Sequence, residues 1–286
     1  MAKLEPYVGD YYLWEYIPSL PASVIFLLLF LAATLFHCWK AWTARARFCI
    51  PFCIGGLFEV IGFGVRAACT DRTGKLMPYA MQNVFILLGP VLYAASIYMV
   101  LARLIRSVGA EKYSLIRITR VTKTFVTGDI VSFLMQGSGA GLMAVGASMA
   151  NTAKGIVIAG LLIQVVVFGF FMVTSLVFNK RMRRCPTTFS MSGNEGDGVG
   201  WKEHLYPLYA VSLLIMIRSI FRVIEYAMGQ KGYLLAHEWP MYVFDAVLML
   251  GVMVIWGRWH PGSIRTVGAG APELQLGLFP LQNKTL

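Results

Sequence analysis

The chain has 286 residues, 57% of them hydrophobic, and its mean hydropathy is +0.65. Soluble domains contain about 45–50% apolar residues even when glycine is counted, so this composition argues against a soluble protein. A net charge of +11 would suggest a nucleic-acid partner in a soluble chain. Here the lysines and arginines stand between apolar runs, which is the pattern of membrane topology, and no nucleic-acid partner is expected.

The cysteines and histidines predict neither a metal site nor a cofactor. The five cysteines are odd in number and match no zinc-binding spacing, so all are expected to be free thiols. They are Cys38, Cys49, Cys53, Cys69 and Cys185. The four histidines have no partner at metal-ligand spacing, and no nucleophile elbow is present.

Seven apolar segments follow one another along the chain, at 19–39, 48–69, 78–104, 124–148, 155–179, 205–228 and 240–257. Because about 20 apolar residues span a bilayer, we predict an all-α polytopic membrane protein. Its single domain, a bundle of seven transmembrane helices, would cover 19–258. Residues 1–18 would form an extracellular segment, 180–204 a flexible cytosolic loop, and 259–286 a disordered cytosolic tail.

The basic residues predict the orientation of the bundle. Seventeen of the 25 lysines and arginines flank the segments on one side, whereas five lie on the other. Basic residues accumulate on the cytosolic side, so the N-terminus is expected outside and the C-terminus in the cytosol. An odd number of spans requires that the termini lie on opposite sides, which agrees with this orientation.

Small residues and one proline predict local helix packing. Gly137, Gly139 and Gly141 lack the strand and lysine of a phosphate loop, so we expect them, like Gly55, to let helices approach closely. Pro90 should kink the third helix and free a carbonyl group, which a neighbouring group would have to satisfy.

Seven ionisable residues lie inside the apolar segments. They are Glu59, Arg66, Asp129, Arg218, Arg222, Glu225 and Asp245. A charge facing lipid costs at least about 2.5–3.5 kcal/mol, so these side chains should face the bundle interior. With three glutamines, they predict a polar cavity that is widest at the outer side.

The spacing of these charges leaves a simpler alternative open. Glu59 and Arg66 share one face of the second helix, and Arg218, Arg222 and Glu225 form one stripe on the sixth. The pairs Glu59–Arg66 and Arg222–Glu225 would then be salt bridges that only join helices.

The same residues carry a family resemblance. The second helix shows an E-x-x-G-x-x-x-R pattern from Glu59 to Arg66, and the sixth contains RSIFRVIEY at 218–226. Further matching residues are Gln82, Pro90, Tyr93, Asp129, Gln136, Gly160, Gln164, Glu238, Tyr242 and Asp245. Over about residues 16–260 the chain resembles the fungal RTA-like family of lipid-translocating exporters. The resemblance implies a seven-helix plasma-membrane protein linked to resistance to toxic amphiphiles, export or flipping of sphingoid bases, or porphyrin uptake.

We therefore expect a translocator, exporter or binder of small amphiphilic lipids, either sphingoid-base-like or sterol-like. Carboxylates would receive an ammonium group, glutamines would bind hydroxyls, and arginines would hold the acids or an anionic head. The candidate ligand-binding residues are Glu59, Arg66, Gln82, Asp129, Gln136, Gln164, Arg218, Arg222, Glu225, Tyr226, Glu238, Tyr242 and Asp245. The partners expected are the bilayer and a lipid, and the oligomeric state stays open.

Two alternatives remain. A membrane enzyme could use Glu59, Asp129, Glu225 and Asp245 as acids and bases in isomerisation or cyclisation of an apolar substrate, although no reaction is identified. A seven-helix lipid sensor could signal through its cytosolic loops. Product formation would identify the enzyme, and a signal dependent on the fifth-to-sixth loop would identify the sensor.

Overall fold

The computed structural model describes residues 14, 16–70, 73–108, 118–145, 150–184, 201–229 and 232–259. These residues form helices and turns, with no strand among them. The seven long helices are α1 Leu20–Thr43, α2 Ile50–Cys69, α3 Leu76–Ser107, α4 Ile118–Val145, α5 Ala150–Arg184, α6 Trp201–Met228 and α7 Trp239–Arg258. The 3-10 turn Arg47–Cys49 precedes α2, and the one-turn helix Tyr233–Ala236 precedes α7.

Each predicted apolar segment corresponds to one of these helices. Three helices have a proline in the first turn, where its missing N–H costs nothing: Pro21 in α1, Pro51 in α2 and Pro240 in α7. Helix α5 continues to Arg184 and α6 begins at Trp201, so the ends of the loop predicted at 180–204 are helical. Residues 185–200 and 260–286 lie outside the described residues, as do 1–13 and 15.

Six of the helices are long and apolar enough to cross a membrane: α1, α2, α3, α5, α6 and α7. Their outer faces carry exposed apolar side chains such as Leu35, Val166 and Val254. The chain is therefore an integral membrane protein. Helix α4 has 28 residues, about 42 Å, but is less apolar because it contains Asp129, Gln136 and four glycines.

The helices close into a ring. Each helix packs against the next one along the chain, α7 returns to α1, and α3 also touches α6. The closest approach of α2 and α3 depends on glycine, because a Cβ on Gly55 would lie 2.8 Å from the carbonyl oxygen of Gly89. A Cβ on Gly139 of α4 would lie 2.8 Å from a carbonyl oxygen of α5, as predicted. The prediction is wrong for Gly137 and Gly141, which have open space around them.

Candidate functional site

Asp245 is the anchor of a group of buried charges inside the ring. It lies in the π-helical stretch Tyr242–Val247 of α7, and such stretches occur frequently at functional sites. Nε of Arg218 donates to one carboxylate oxygen of Asp245, and a terminal nitrogen of Arg222 donates to the other. Both arginines come from α6, one turn apart, so a single carboxylate ties α6 to α7.

The two arginines have further partners. Arg222 donates to Glu225 Oε2 at 2.9 Å, which confirms the predicted pair within α6. Arg218 donates to the carbonyl oxygen of Ile86 in α3 at 3.1 Å. Ile86 lies four residues before Pro90, which has no N–H to bond that carbonyl. The proline thus leaves free the carbonyl oxygen that accepts the hydrogen bond from Arg218. A neighbouring group satisfies this carbonyl, as predicted.

Glu59 of α2 is buried in the same group, with 1% of its surface exposed. It interacts electrostatically with Arg218, Arg222 and Asp245 but forms no ion pair within the described part of the chain. Its Oε1 lies against Gly89 of α3, where an added Cβ would be only 2.6 Å away. Glycine at position 89 therefore makes room for the carboxyl group.

The central group, defined as Glu59, Arg218, Arg222, Glu225 and Asp245, is incompletely satisfied. Two of its buried atoms have no hydrogen-bond partner among the described residues, Glu59 Oε1 and Arg222 Nε. The buried Oε1 of Gln82, four residues before Ile86 on α3, also has none. Each such atom costs about 1–3 kcal/mol, and more where the group is charged. Counted as ionised, the three acids exceed the two arginines by one negative charge. The arrangement therefore has unused acceptors and can accept one positive charge.

A second group surrounds Arg66 at the end of α2. The Arg66 group is defined as Trp14, Tyr16, Ser23, Arg66, Glu238 and Tyr242. Arg66 forms an ion pair with Glu238 at 2.8 Å and donates to the hydroxyls of Tyr16 at 3.1 Å and Tyr242 at 3.3 Å. The guanidinium also lies over the rings of Trp14, Tyr16 and Tyr242, 5.3–5.7 Å from their centroids.

Glu238 also accepts hydrogen bonds from the Ser19 backbone nitrogen at 2.9 and 3.1 Å, where α1 begins. The Arg66 group thus joins the start of α1, the end of α2 and the start of α7. The alternative pair Glu59–Arg66 is not formed. Residues seven apart share a helix face but lie about 10 Å apart along the axis, so each finds other partners.

Asp129 lies on another side of the ring. It accepts a hydrogen bond of 2.9 Å from the Tyr98 hydroxyl of α3, and Tyr98 is packed among phenylalanine rings. At the neighbouring contact between α4 and α5, Gln136 of α4 donates to Gln164 of α5 at 3.0 Å. Within the described ranges, none of these three predicted residues forms a hydrogen bond or ion pair with the central group. They join α3, α4 and α5.

The model of the RTA1-like protein family matches residues 52–267, which include nearly all of α2, the whole of α3 to α7, and the central group. The chain belongs to the RTA1-like family. It is 34% identical to protein RTA1 of Saccharomyces cerevisiae over 268 residues, covering 85% of this chain and 83% of that protein. The family resemblance expected from the motifs is therefore confirmed.

Two other yeast relatives have names that state an activity. The protoporphyrin uptake protein 1 is 37% identical and the match covers 72% of this chain and 66% of that protein. The sphingoid long-chain base transporter RSB1 is 26% identical, with 86% of this chain and 72% of that protein covered. No solved structure matches the chain.

The family motifs identified from sequence occupy the buried positions of this RTA1-like protein. Nine of the thirteen predicted residues are buried, and Gln164, Tyr226, Glu238 and Tyr242 are partly exposed. Sequence reasoning missed Tyr98 and Gly89 as contacts of acids, and did not assign Trp14 and Tyr16 to a site. The sequence signal that could have pointed to Tyr98 and Gly89 is an acid inside an apolar segment that has no partner on its own helix. Within the described ranges, no three His, Cys, Asp or Glu side chains could hold one metal ion.

Proposed function

We propose that this RTA1-like protein binds a cationic amphiphilic lipid of the sphingoid-base type in its central group and moves it across the membrane. The observation that carries the proposal is the buried carboxyl of Glu59, which has no ion-pair partner among the described residues and lies in a group with one excess negative charge. An ammonium head supplies the missing charge and N–H donors. The relative named a sphingoid long-chain base transporter supports this ligand class.

The contacts within the central group support different roles for the predicted residues. Asp245 already has both oxygens bonded to arginines, and Glu225 is paired with Arg222, so Glu59 is the acid free to receive the ammonium. Gln82 presents an unpartnered oxygen for a ligand hydroxyl. Arg218 and Arg222 hold the remaining acids in place and keep the site from accumulating further negative charge.

We propose a seven-span topology in the plasma membrane, with the N-terminus outside. Two features support including α4 as a span: it closes the ring between α3 and α5, and it exposes the apolar side chains Ile130, Val131 and Leu134. The bias of basic residues supports the orientation. In this orientation the Arg66 group lies at the outer end of the bundle.

We also propose a polar cavity around the central group, which the Arg66 group closes at its outer side. The Arg66 group joins three helix ends directly beyond the central group, so a lipid head that leaves for the outer leaflet requires these contacts to separate. The apolar tail would remain among the lipid-facing side chains. Tolerance of toxic amphiphiles by cells would follow from export of the bound lipid.

The test is flipping of a fluorescent sphingoid base by the purified protein in liposomes. Wild type should flip the base, and Glu59→Gln, which keeps the shape but removes the charge, should slow flipping at least tenfold. An N-acylated form of the same base, which lacks the ammonium, should not be flipped by either protein. Equal flipping by wild type and Glu59→Gln would refute the role of Glu59.

The same preparation separates the two alternatives. Binding without flipping would favour a lipid sensor. Chemical conversion of the bound base, detected by mass spectrometry, would favour a membrane enzyme.

A further inference from the structure

We propose that Glu59 holds a proton in the unliganded protein and exchanges it for the ammonium group of the lipid, so that lipid movement is coupled to proton movement. The inference rests on the proposed function, because the same carboxyl serves as the lipid site. Proton exchange would supply the energy for lipid movement, and the proton gradient would set its direction.

The proton follows from the charge balance of the central group. Three acids and two arginines leave one negative charge in a site surrounded by helices and lipid, where an unpaired ion is costly. Asp245 is bonded to both arginines and Glu225 to one, whereas Glu59 is bonded to neither. When no ligand is bound, a proton on Glu59 neutralises the group without breaking an ion pair, whereas a proton on Asp245 or Glu225 would break one.

The surroundings of Glu59 are consistent with a neutral carboxyl. On α3 it faces Gly89 and the Tyr93 hydroxyl, and across the ring it faces Arg218 and Arg222 of α6 and Asp245 of α7. Its Oε1 receives no hydrogen bond from the described residues. A carboxylate normally gathers such bonds, so this oxygen is suited to the protonated state.

Helix α1 packs on the other side of α2 and contributes His37. This histidine contacts the ring of Phe52 and lies within hydrogen-bond distance of the Met253 carbonyl oxygen, 3.0 Å away. Phe52 precedes Glu59 by seven residues, about 10 Å along the helix. His37 is therefore a separate titratable group. Any proton that it releases in the experiments below would still be released in a Glu59 variant.

The exchange balances charge in each state. In the resting state Glu59 is a neutral acid and the central group has no net charge. When the ammonium arrives, the O–H bond of Glu59 breaks, the proton leaves to water, and the carboxylate pairs with the ammonium. The group is again neutral. One positive charge enters for each proton released, so the exchange itself is electrically neutral.

This exchange has a directional consequence. A proton gradient acidic on the side that receives the lipid would reload Glu59 there and displace the ammonium into that leaflet. Acid on the outer side of the membrane would therefore drive export of the base.

The test uses N,N,N-trimethylsphingosine, whose fixed charge cannot carry a proton. Infrared difference spectra of the purified protein should show that the carbonyl band of a protonated carboxyl disappears when the probe is added. A pH indicator should record about one proton released per probe bound, as the exchange requires one positive charge for another. Glu59→Gln should show neither change.

Two controls separate Glu59 from other sources of signal. Asp129→Asn removes the other buried acid that has no arginine partner and should keep the probe-induced spectral change. Replacing Na⁺ and K⁺ by N-methylglucamine should also leave the change intact, because the resident cation is a proton. A protonated-carboxyl band that is absent in Na⁺ or K⁺ and appears only when both are removed would overturn proton exchange in favour of metal-cation exchange.

In liposomes, an acidic lumen should accelerate wild-type uptake of the probe several-fold, and Glu59→Gln should not respond. Flipping of sphingoid base with no carboxyl change and no response to the gradient would overturn the coupling while leaving the proposed function intact. If neither sphingosine nor the trimethyl probe binds, the proposed function fails and the coupling fails with it.

Discussion

The Arg66 group and the central group lie only two helical turns apart on α2, yet their charges are arranged differently. In the Arg66 group one base meets one acid at 2.8 Å, and tyrosine hydroxyls take further donors of the guanidinium. In the central group three acids face two arginines, and two buried polar atoms lack hydrogen-bond partners among the described residues. A balanced group needs nothing further, whereas an unbalanced one is completed by a ligand.

This difference predicts a division of labour between the two groups. Removing a charge from the Arg66 group should mainly cost stability, because a partner is left unpaired. Removing the excess acid from the central group should mainly weaken ligand binding. Stability should change little, because both arginines keep the acids with which they pair. Variants can be ordered by how strongly they should affect each property.

The largest loss of stability is expected from Asp245→Asn, because Arg218 then loses the acid it pairs with and Arg222 keeps only Glu225. Breaking a buried pair in this way costs about 3–5 kcal/mol. Thermal denaturation in detergent measures it, with Asp129→Asn as the control because Asp129 has a tyrosine partner and no arginine. Equal destabilisation by the two variants would show that the arginine pairs do not anchor the central group.

A smaller loss of stability but a large loss of binding is expected from Gly89→Ala. Its Cβ would lie 2.6 Å from Glu59 Oε1, so the carboxyl must move from its position. Binding of a sphingoid base should weaken about tenfold, equivalent to about 1.4 kcal/mol. The matched control is Gly137→Ala, since a Cβ there meets nothing within 4 Å. Unchanged binding by Gly89→Ala would contradict the placement of the ligand at Glu59.

Tyr242→Phe should loosen the Arg66 group without changing the central group. The hydroxyl contacts Arg66, Glu238 and Ser23, so its loss should cost about 1–3 kcal/mol. Cys69, buried near Arg66 at the end of α2, reports opening when it is the only cysteine left in the chain.

A thiol reagent should label Cys69 several-fold faster in Tyr242→Phe than in its parent. The control is Tyr209→Phe, which loses one hydrogen bond to the Ser175 carbonyl between α5 and α6. If both variants accelerate labelling equally, the Arg66 group is not the outer closure.

The smallest effect is expected from Gln164→Leu, which removes the hydrogen bond to Gln136 at the α4–α5 contact. Hydrogen bonds between membrane helices contribute about 0.6 kcal/mol on average. The melting temperature should fall slightly, and binding of the sphingoid base should be unchanged. Weakened binding would extend the ligand site toward α4 and α5, contrary to the separation of the two regions.

Sequence reasoning predicted the helices well because the membrane imposes a long apolar run on each span. It also identified the buried acids and arginines, since a charge within such a run has few places to go. The helix ends were less accurate: α5 extends to Arg184 because basic residues are good helix formers and favour a helix C-terminus.

The choice of partners could not be predicted from spacing within one helix. Arg66 pairs with Glu238 and Arg218 with Asp245, across the contacts of α2 with α7 and of α6 with α7. Sequence spacing shows which residues share a face of a helix but not which faces meet. Pro90 was the exception, because its missing N–H predicted a carbonyl in need of a donor, and Arg218 supplies it.

The matched pair Glu59→Gln and Glu238→Gln tests the division of labour most directly. Each variant removes one carboxylate without changing side-chain size, and both should be measured for sphingoid-base binding and thermal stability in the same detergent. Glu59→Gln should lose binding and keep its melting temperature, whereas Glu238→Gln should keep binding and lose about 1–3 kcal/mol of stability through its unpaired partner Arg66. Wild-type binding by Glu59→Gln, or equal effects of both variants on both properties, would contradict the account.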